Sequence, residues 1–340
     1  MIREASRKLV KGENLKYDEV REVMSEIMSG ETSPTLISAY LVALRMKGET
    51  VEEISGSAQG MRDAAQTLNY DGDLLEIVGT GGDEAYTFNI STTSAFVIAA
   101  TGVKVAKHGN RSVSSKSGAA DVLESLGAKI DITPQQSVEV LDKCNFAFLF
   151  AQKYHTSMKY VGPVRSELGL RTVFNILGPL TNPAGASHNV IGVYSEELVR
   201  PIADVLVNLG VKRALVVYGM DRMDEISLSA KTKVAEIKDN KVIAEYEIDP
   251  RDYGFELCDK EDIVGGDSTV NAEITKDILT GKLHGPKRDI VILNAAAGIF
   301  VAKNDITIKE AVEMAKDAID SGKAYEVLQK YVEVSNSFDA

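Results

Sequence analysis

The hydrophobic pattern changes period at Asp71-Gly72, and that change limits the chain to a helical part followed by an α/β part. Before it, Ser33-Pro34 opens a helix whose apolar residues Leu36, Ile37, Tyr40, Leu41 and Leu44 recur at helical spacing until Gly48. Thr50 with Glu53 predicts a capping box and a second helix running toward Leu68. After the change, short apolar runs alternate with helical stretches. Strands are expected at Leu74–Val78, Lys104–Ala106, Phe146–Phe150, Val190–Tyr194 and Ala214–Tyr218. Helices are expected at Thr92–Ala100, Ala119–Leu126, Pro134–Lys143 and Glu197–Leu209. The alternation predicts a mostly parallel sheet with its binding residues in loops beyond the strand C-termini. Residues Lys231–Tyr253 alternate apolar and polar, which predicts an antiparallel extension, and the chain is helical again from Asn271, with a further capping box at Thr307 and Glu310.

Charge excludes one class of function. A formal net charge of -12 argues against a general nucleic-acid binder, which needs a basic footprint. Locally the balance reverses: from Ala85 through Ala120 there is no Asp or Glu, while Lys104, Lys107, Arg111 and Lys116 lie inside the run. A positive island suits a small phosphorylated substrate, although buried segments also lack acids. Cys144 and Cys258 have no metal-ligand spacing around them. No apolar run reaches membrane-spanning length, so a soluble, cytoplasmic protein is expected.

Gly79-Thr80-Gly81-Gly82-Asp83 lies between an expected strand and an expected helix, where glycines let backbone N–H groups turn toward an anion. It is neither a dinucleotide fingerprint nor a Walker loop. Hydroxyls and an amide then crowd the helix start at Thr87-Phe88-Asn89-Ile90-Ser91-Thr92-Thr93. A helix N-terminus offers free N–H groups to phosphate, and Asn89 or Ser91 could equally serve as a plain N-cap. The third polar segment runs from Lys107 through Gly118 and is read as a loop between strand and helix.

These residues carry a resemblance to the anthranilate phosphoribosyltransferases. It runs through Gly79–Asp83, Asn89-Ile90-Ser91-Thr92, KHGNRSVSSKSGAADVLESLG from Lys107, the segment from Phe148 to Gly185 that contains GPVR and NILGPLTNPAG, and the Asp224-Glu225 pair. It implies a small helical domain over 1–70, joined by part of 165–190, and an α/β domain over 71–340 that binds phosphoribosyl diphosphate (PRPP), in the nucleoside phosphorylase and phosphoribosyltransferase type of fold. The implied substrates are PRPP and anthranilate, in tryptophan biosynthesis. The implied cofactor is Mg2+, as two ions. A homodimer is expected, and an anthranilate synthase subunit is a candidate partner.

Carried over by position, Gly79, Gly82, Asp83, Thr87, Asn89, Ile90, Ser91, Thr92, Lys107, His108, Gly109, Asn110, Arg111, Ser112, Val113, Ser114, Ser115 and Ala119 would bind PRPP. Ser91, Asp224 and Glu225 would hold magnesium. Gly79, Asn110 and Arg165 would contact anthranilate, with His108 and His155 as further candidates. Three positions depart from the family's usual pattern: Gln152 where Pro is frequent, Arg222 where Gly is frequent, and Ala119 where Ser also occurs. Of these only Ala119 is expected to touch the site.

The chemistry suits the residue types. Displacing diphosphate from a ribose passes through a cationic sugar, so stabilising the departing anion matters most. Asp224 and Glu225 are hard oxygen donors for Mg2+. Arg165 can fork onto a carboxylate. An aromatic amine is neutral at pH 7 and sheds a proton readily once bonded to carbon, so no general base is assigned, His108 being the one candidate. The nearest alternative, a pyrimidine nucleoside phosphorylase, recognises its base with a different Arg, Ser and Lys pattern.

Overall fold

A computed structural model of the chain describes residues 1–112 and 116–338. Four helices come first: α1 (Ile2–Val10), α2 (Tyr17–Met28), α3 (Pro34–Lys47) and α4 (Val51–Asp63). Ser33 accepts from Leu36 N and Pro34 opens α3, as the sequence requires. Thr50 and Glu53 form the reciprocal capping box of α4, which ends at Asp63, short of Leu68. Glu53 is fully buried, and beyond its cap role it pairs with Lys47 (2.8 Å) and accepts from Leu15 N, tying α4 to α3 and to the loop before α2.

The chain then builds β1 (Leu75–Gly79), α5 (Ile90–Ala100), β2 (Val105–Gly109), α6 (Ala119–Ser125), α7 (Pro134–Cys144) and β3 (Phe146–Phe150). Three short helices follow, α8 (Ala151–Tyr154), α9 (Gly162–Leu168) and α10 (Phe174–Leu177). Next come β4 (His188–Gly192), α11 (Val199–Asn208), β5 (Arg213–Gly219), β6 (Thr232–Lys238) and β7 (Lys241–Ile248). Four helices close the fold: α12 (Ser268–Leu279), α13 (Pro286–Ala302), α14 (Ile308–Asp320) and α15 (Lys323–Asn336). No described helix is long and apolar enough to cross a membrane.

The seven strands form one sheet in the order β3-β2-β1-β4-β5-β6-β7. The first five are mutually parallel, and β6 and β7 add the antiparallel extension. From β1 the chain winds one way through β2 to β3, then returns to place β4 on the other side of β1. The sheet therefore reverses its winding between β1 and β4, and such a reversal opens a crevice at the strand C-termini. The C-terminal residues Gly79 and Gly192 pair across it.

Side chains of Val161, Val164, Val173, Phe174 and Leu177 pack in the same apolar cluster as α1–α4, and that cluster continues onto one face of the sheet through Ile191, Val216 and α11. The other face, covered by α5, α13 and α15, forms the second cluster. One local expectation is corrected: Lys107, His108 and Gly109 belong to strand β2, not to the loop after it. The Lys107 ammonium and His108 Nδ1 find partners at the sheet end, which lets them enter a buried strand.

Candidate active site

Two glycines let the site assemble. A Cβ on Gly192 would lie 1.6 Å from the backbone oxygen of Asp224, and one on Gly79 would lie 2.2 Å from the Asp224 carboxylate. The loop carrying Asp224 and Glu225 thus settles on the ends of β1 and β4 only because both positions lack side chains. In return Asp224 accepts a hydrogen bond from Gly81 N at 2.6 Å. Gly81 and Gly82 have φ of +72 and +77, which turns the loop back on itself. Its far side is held by Arg171, which donates to the Gly82 oxygen at 2.6 Å and stacks over Tyr194.

The acidic pair is not a surface feature. Asp224 is buried, and Asp83 approaches it, accepting from Asp224 N at 3.3 Å. Burial first, then the neighbouring carboxylates of Asp83 and Glu225, push the Asp224 carboxyl well above its ordinary range. Burial also drives Glu225 up to about 7, offset partly by Lys107 and by the N–H of Ser91 at the start of α5. Carboxylates crowded in this way repel one another, and a cluster of hard oxygen donors with raised pKa values accepts a divalent cation readily. Among the described residues no group of three or more His, Cys, Asp or Glu is placed to hold a metal ion. The Ser91 hydroxyl, water and substrate oxygens would therefore have to complete a metal shell, as suits Mg2+.

Lys107 lies beneath this cluster. It is buried, and its Nζ donates to the Ile77 oxygen (2.6 Å) and to Ser91 Oγ (3.0 Å). Burial lowers its pKa, against the attraction of Glu76, Glu225 and Asp224. Glu76, fully buried in β1 and raised to about 7 by desolvation, accepts from His108 N at 2.9 Å and from the amide of Asn182, which also donates to the Ala106 oxygen. Lys107 is thus an internal counter-ion that also orients Ser91.

The positive island is smaller in space than in sequence. Arg111 pairs with Asp121 (3.0 Å) and forks onto Glu124, acids just beyond the acid-free run. Asp121 also receives the N–H groups of Ser112 and Gly118, so the start of α6 already has an anion. Asn110 accepts from Arg111 N and, at 3.4 Å, from Gln152. This corrects one expectation: Gln152, like Ala119, touches a predicted site residue. Ala119 opens α6 and packs where a Cβ on Gly109 would meet it at 3.2 Å. Val113, Ser114 and Ser115 lie outside the described residues.

At the N-terminus of α5, Ile90 is buried with its N–H on the Phe88 oxygen, and Thr92 is buried. Thr87 bridges to Val264. Asn89 occupies the N-cap position, yet its side chain makes no capping bond. Its Nδ2 donates to the Ser117 oxygen, and its Oδ1 accepts from Asn271 at 3.0 Å.

His108 and His155 stand together, ring centroids 5.0 Å apart. His108 Nδ1 faces the Gly178 oxygen at 3.3 Å and His155 Nε2 faces the Thr181 oxygen at 3.1 Å. Burial pushes His108 down to about 3 and His155 down to about 4, so both rings are neutral at pH 7. A carbonyl only accepts, so His108 carries its proton on Nδ1, and its buried Nε2 is left with a lone pair and no partner. Arg165, on α9, stacks at 5.5 Å over Phe174 and has no ion-pair partner among the described residues. Desolvation lowers its pKa, the condition of a guanidinium suited to a ligand carboxylate.

The structure thus gathers Gly79, Asp83, Ser91, Lys107, Asp224 and Glu225 into one cluster, with Asn89 at the cap of the helix that bears Ser91, and links Asn110 to Gln152. Sequence reading missed Glu76, Asn182, Arg171, Gly192 and Asn271. Asn182 and Arg171 fall inside motifs already singled out, whereas a buried Glu in a strand or an Asn near the C-terminus gives no signal of its own.

Residues 71–325 match a family model described as glycosyl transferase family, a/b domain, and residues 3–65 match the helical bundle domain of the same family. A protein of Lachnoclostridium phytofermentans named anthranilate phosphoribosyltransferase is 56% identical over 336 residues, 99% of each chain. One of the same name from Methanobrevibacter smithii is 56% identical over 337 residues, covering 99% of this chain and 100% of that one. A crystal structure of anthranilate phosphoribosyltransferase from Thermus thermophilus superposes with a TM-score of 0.93 at 43% identity, over 98% of this chain and 99% of that one. The enzyme from Saccharomyces cerevisiae in complex with PRPP and Mg superposes with a TM-score of 0.92 at 28% identity, over 99% and 98% of the two chains.

Proposed function

The chain belongs to the anthranilate phosphoribosyltransferases of the glycosyl transferase family, and from that premise we propose how its residues carry the transfer. The reaction moves the phosphoribosyl group of PRPP onto the amine of anthranilate, releasing diphosphate, in tryptophan biosynthesis. The bond from ribose C1 to the diphosphate oxygen breaks with its electron pair leaving on diphosphate. The C1–N bond forms, and the nitrogen loses one proton.

The observation that carries the assignment of roles is the acidic cluster set between the glycine loop and the start of α5. Ser91, Asp224 and Glu225 would hold magnesium, with Asp83 beside them. Magnesium, when bound, neutralises charge gathering on the departing diphosphate. A diphosphate and three carboxylates carry more negative charge than one divalent ion and Lys107 offset, which supports two ions. The backbone of the Gly79–Asp83 loop and the start of α5 from Thr87 to Thr92 receive PRPP. The described residues Lys107 through Ser112, with Ala119 behind them, line the same side, and Val113, Ser114 and Ser115 are proposed as further PRPP contacts. Lys107 acts there through Ser91 and not as a direct phosphate ligand.

Arg165 forks onto the carboxylate of anthranilate, with Asn110 and the Gly79 backbone as further contacts. His108 Nε2 accepts a hydrogen bond from the amine, and its low pKa makes it a poor proton carrier, so the proton leaves to diphosphate or water. Beside it, His155 forms the wall. Two free cysteines support a reducing, cytoplasmic setting. A homodimer is supported by an apolar face on α1 and α3, where Val10 is 78% exposed and Met46 82% exposed.

The direct test mixes the protein with anthranilate, PRPP and Mg2+ and follows loss of anthranilate fluorescence. The roles assigned to the cluster require a loss that EDTA abolishes. Turnover indifferent to EDTA, or unchanged in Asp224→Asn/Glu225→Gln across a magnesium titration, would remove the cluster from the metal role.

A further inference from the structure

Helix α12 lies far from the glycine loop in sequence, yet two of its polar side chains reach the start of α5. Asn271 is 1% exposed, and both ends of its amide are used: Oδ1 accepts from Gly266 N at 2.8 Å, and Nδ2 donates to Asn89 Oδ1 at 3.0 Å. One turn further along both helices, the fully buried hydroxyls of Thr93 and Thr275 are 2.8 Å apart. Thr93 Oγ1 donates to the Asn89 backbone oxygen at 2.9 Å, so its lone pair must accept from Thr275. The direction of every bond is therefore fixed. Both oxygens of Asn89 are held from α12, one by Asn271 directly and the other by Thr275 through Thr93, and the Ser117 hydroxyl makes a second, longer bond to Oδ1 at 3.4 Å.

The consequence falls on the amide nitrogen. With Oδ1 bound to Asn271, the Asn89 side chain cannot flip, and its Nδ2 is committed as a donor. One of its two N–H bonds goes to the Ser117 oxygen at 3.2 Å. The other has no partner among the described residues. A side chain at an N-cap position would ordinarily turn onto its own helix. This one does not, because Asn271 on α12 and Ser117 hold it away.

We propose that Asn271 and Thr275 are positioning residues for PRPP, fixing Asn89 as a preset N–H donor to the bound phosphate. The proposal rests on the reading that Asn89 contacts PRPP. It adds that this contact is dictated from the C-terminal third of the chain. Close approach of the Gly265-Gly266 turn is part of the device, since a Cβ on Gly265 would lie 2.6 Å from Asn271 Oδ1. A donor already oriented costs less entropy on binding than one that must be ordered by the ligand.

The test is a double-mutant cycle read by calorimetric binding of PRPP with Mg2+, with the KM of each substrate alongside. Asn89→Ala should weaken PRPP binding. Asn271→Leu should weaken it about five- to tenfold, the size of one neutral hydrogen bond, and leave the anthranilate KM unchanged. In the Asn89→Ala background Asn271→Leu should add nothing. Asn271→Asp keeps the acceptor for Gly266 N but sets an oxygen against Asn89 Oδ1, so it should fail like Leu. Thr275→Val should act in the same direction by a smaller factor. These two carry the test if the Leu variant does not fold. Undiminished PRPP binding by folded Asn271→Asp and Thr275→Val, or an equal loss in the Asn89→Ala background, would overturn the positioning role while leaving Asn89 in place. Unchanged binding by Asn89→Ala would overturn the Asn89 contact and the proposal with it.

Discussion

Arg165 and the histidine pair make opposite demands on pH and charge. Arg165 stays charged at any working pH, so its removal acts on the ligand carboxylate alone. Arg165→Ala should raise the anthranilate KM by about 10- to 100-fold, the span of a charge-assisted hydrogen bond, with the PRPP KM nearly constant. Equal loss for both substrates in steady-state kinetics would deny it that part. His108 and His155 have folded pKa values of about 3 and about 4, below the ordinary value of about 6.5. In the unfolded chain they take up protons first as pH falls, so their stability contribution is present above pH 6.5 and drains away toward pH 4. Each ring should cost about 2 kcal/mol by pH 5, measured as a fall in urea-unfolding free energy between pH 7.5 and 5. His108→Gln should flatten that slope, and no titration of either ring should appear in the activity profile between pH 6 and 8. At Arg222 the backbone sits at φ +75, a left-handed conformation that favours glycine.

Among the elements, the ends of β1 and β4 carry the sharpest steric requirement. Gly192→Ala should force the Asp224 loop outward, weakening PRPP binding with Mg2+ about 100-fold while costing about 1–3 kcal/mol of stability as an overpacked position. Calorimetry and urea unfolding separate the two effects, and intact binding would mean that the loop can settle elsewhere. Much of the element order was legible beforehand, because local signals suffice for it: Ser33-Pro34, the boxes at Thr50 and Thr307, and the apolar runs of β1, β3 and β5. Boundaries slipped where polar residues enter strands. β4 starts at His188, not at Val190, since Asn189 satisfies its amide on the Ala186 oxygen and so remains in a buried strand. β2 runs on through Lys107 for the same reason, its ammonium bonded to the Ile77 oxygen and to Ser91. The site residues quoted from motifs were visible. The contacts that aim them, Glu76 to Asn182, Arg171 to Gly82 and Asn271 to Asn89, join distant segments and leave no periodicity to read.

Over the whole molecule, the sheet exposes little that could bind another copy. β3 is buried along its length, and β7 at the other edge presents Lys241, Glu245 and Glu247, which discourage strand pairing. The apolar face of α1 and α3 is the better candidate for self-association. Met46→Glu with Val10→Asp should yield a monomer in analytical ultracentrifugation, and a dimer that survives both would move the interface elsewhere.

The reversal of winding between β1 and β4 also governs the order of folding. Leu75 pairs with His188, more than a hundred residues along the chain, whereas β2 and β3 pair across a much shorter span. Closing the longer loop carries the larger entropic cost and delays the contact it makes. The crevice is bounded by that late pairing and roofed by a loop from beyond β5. In a refolding experiment, backbone ellipticity should therefore return before the capacity to bind PRPP.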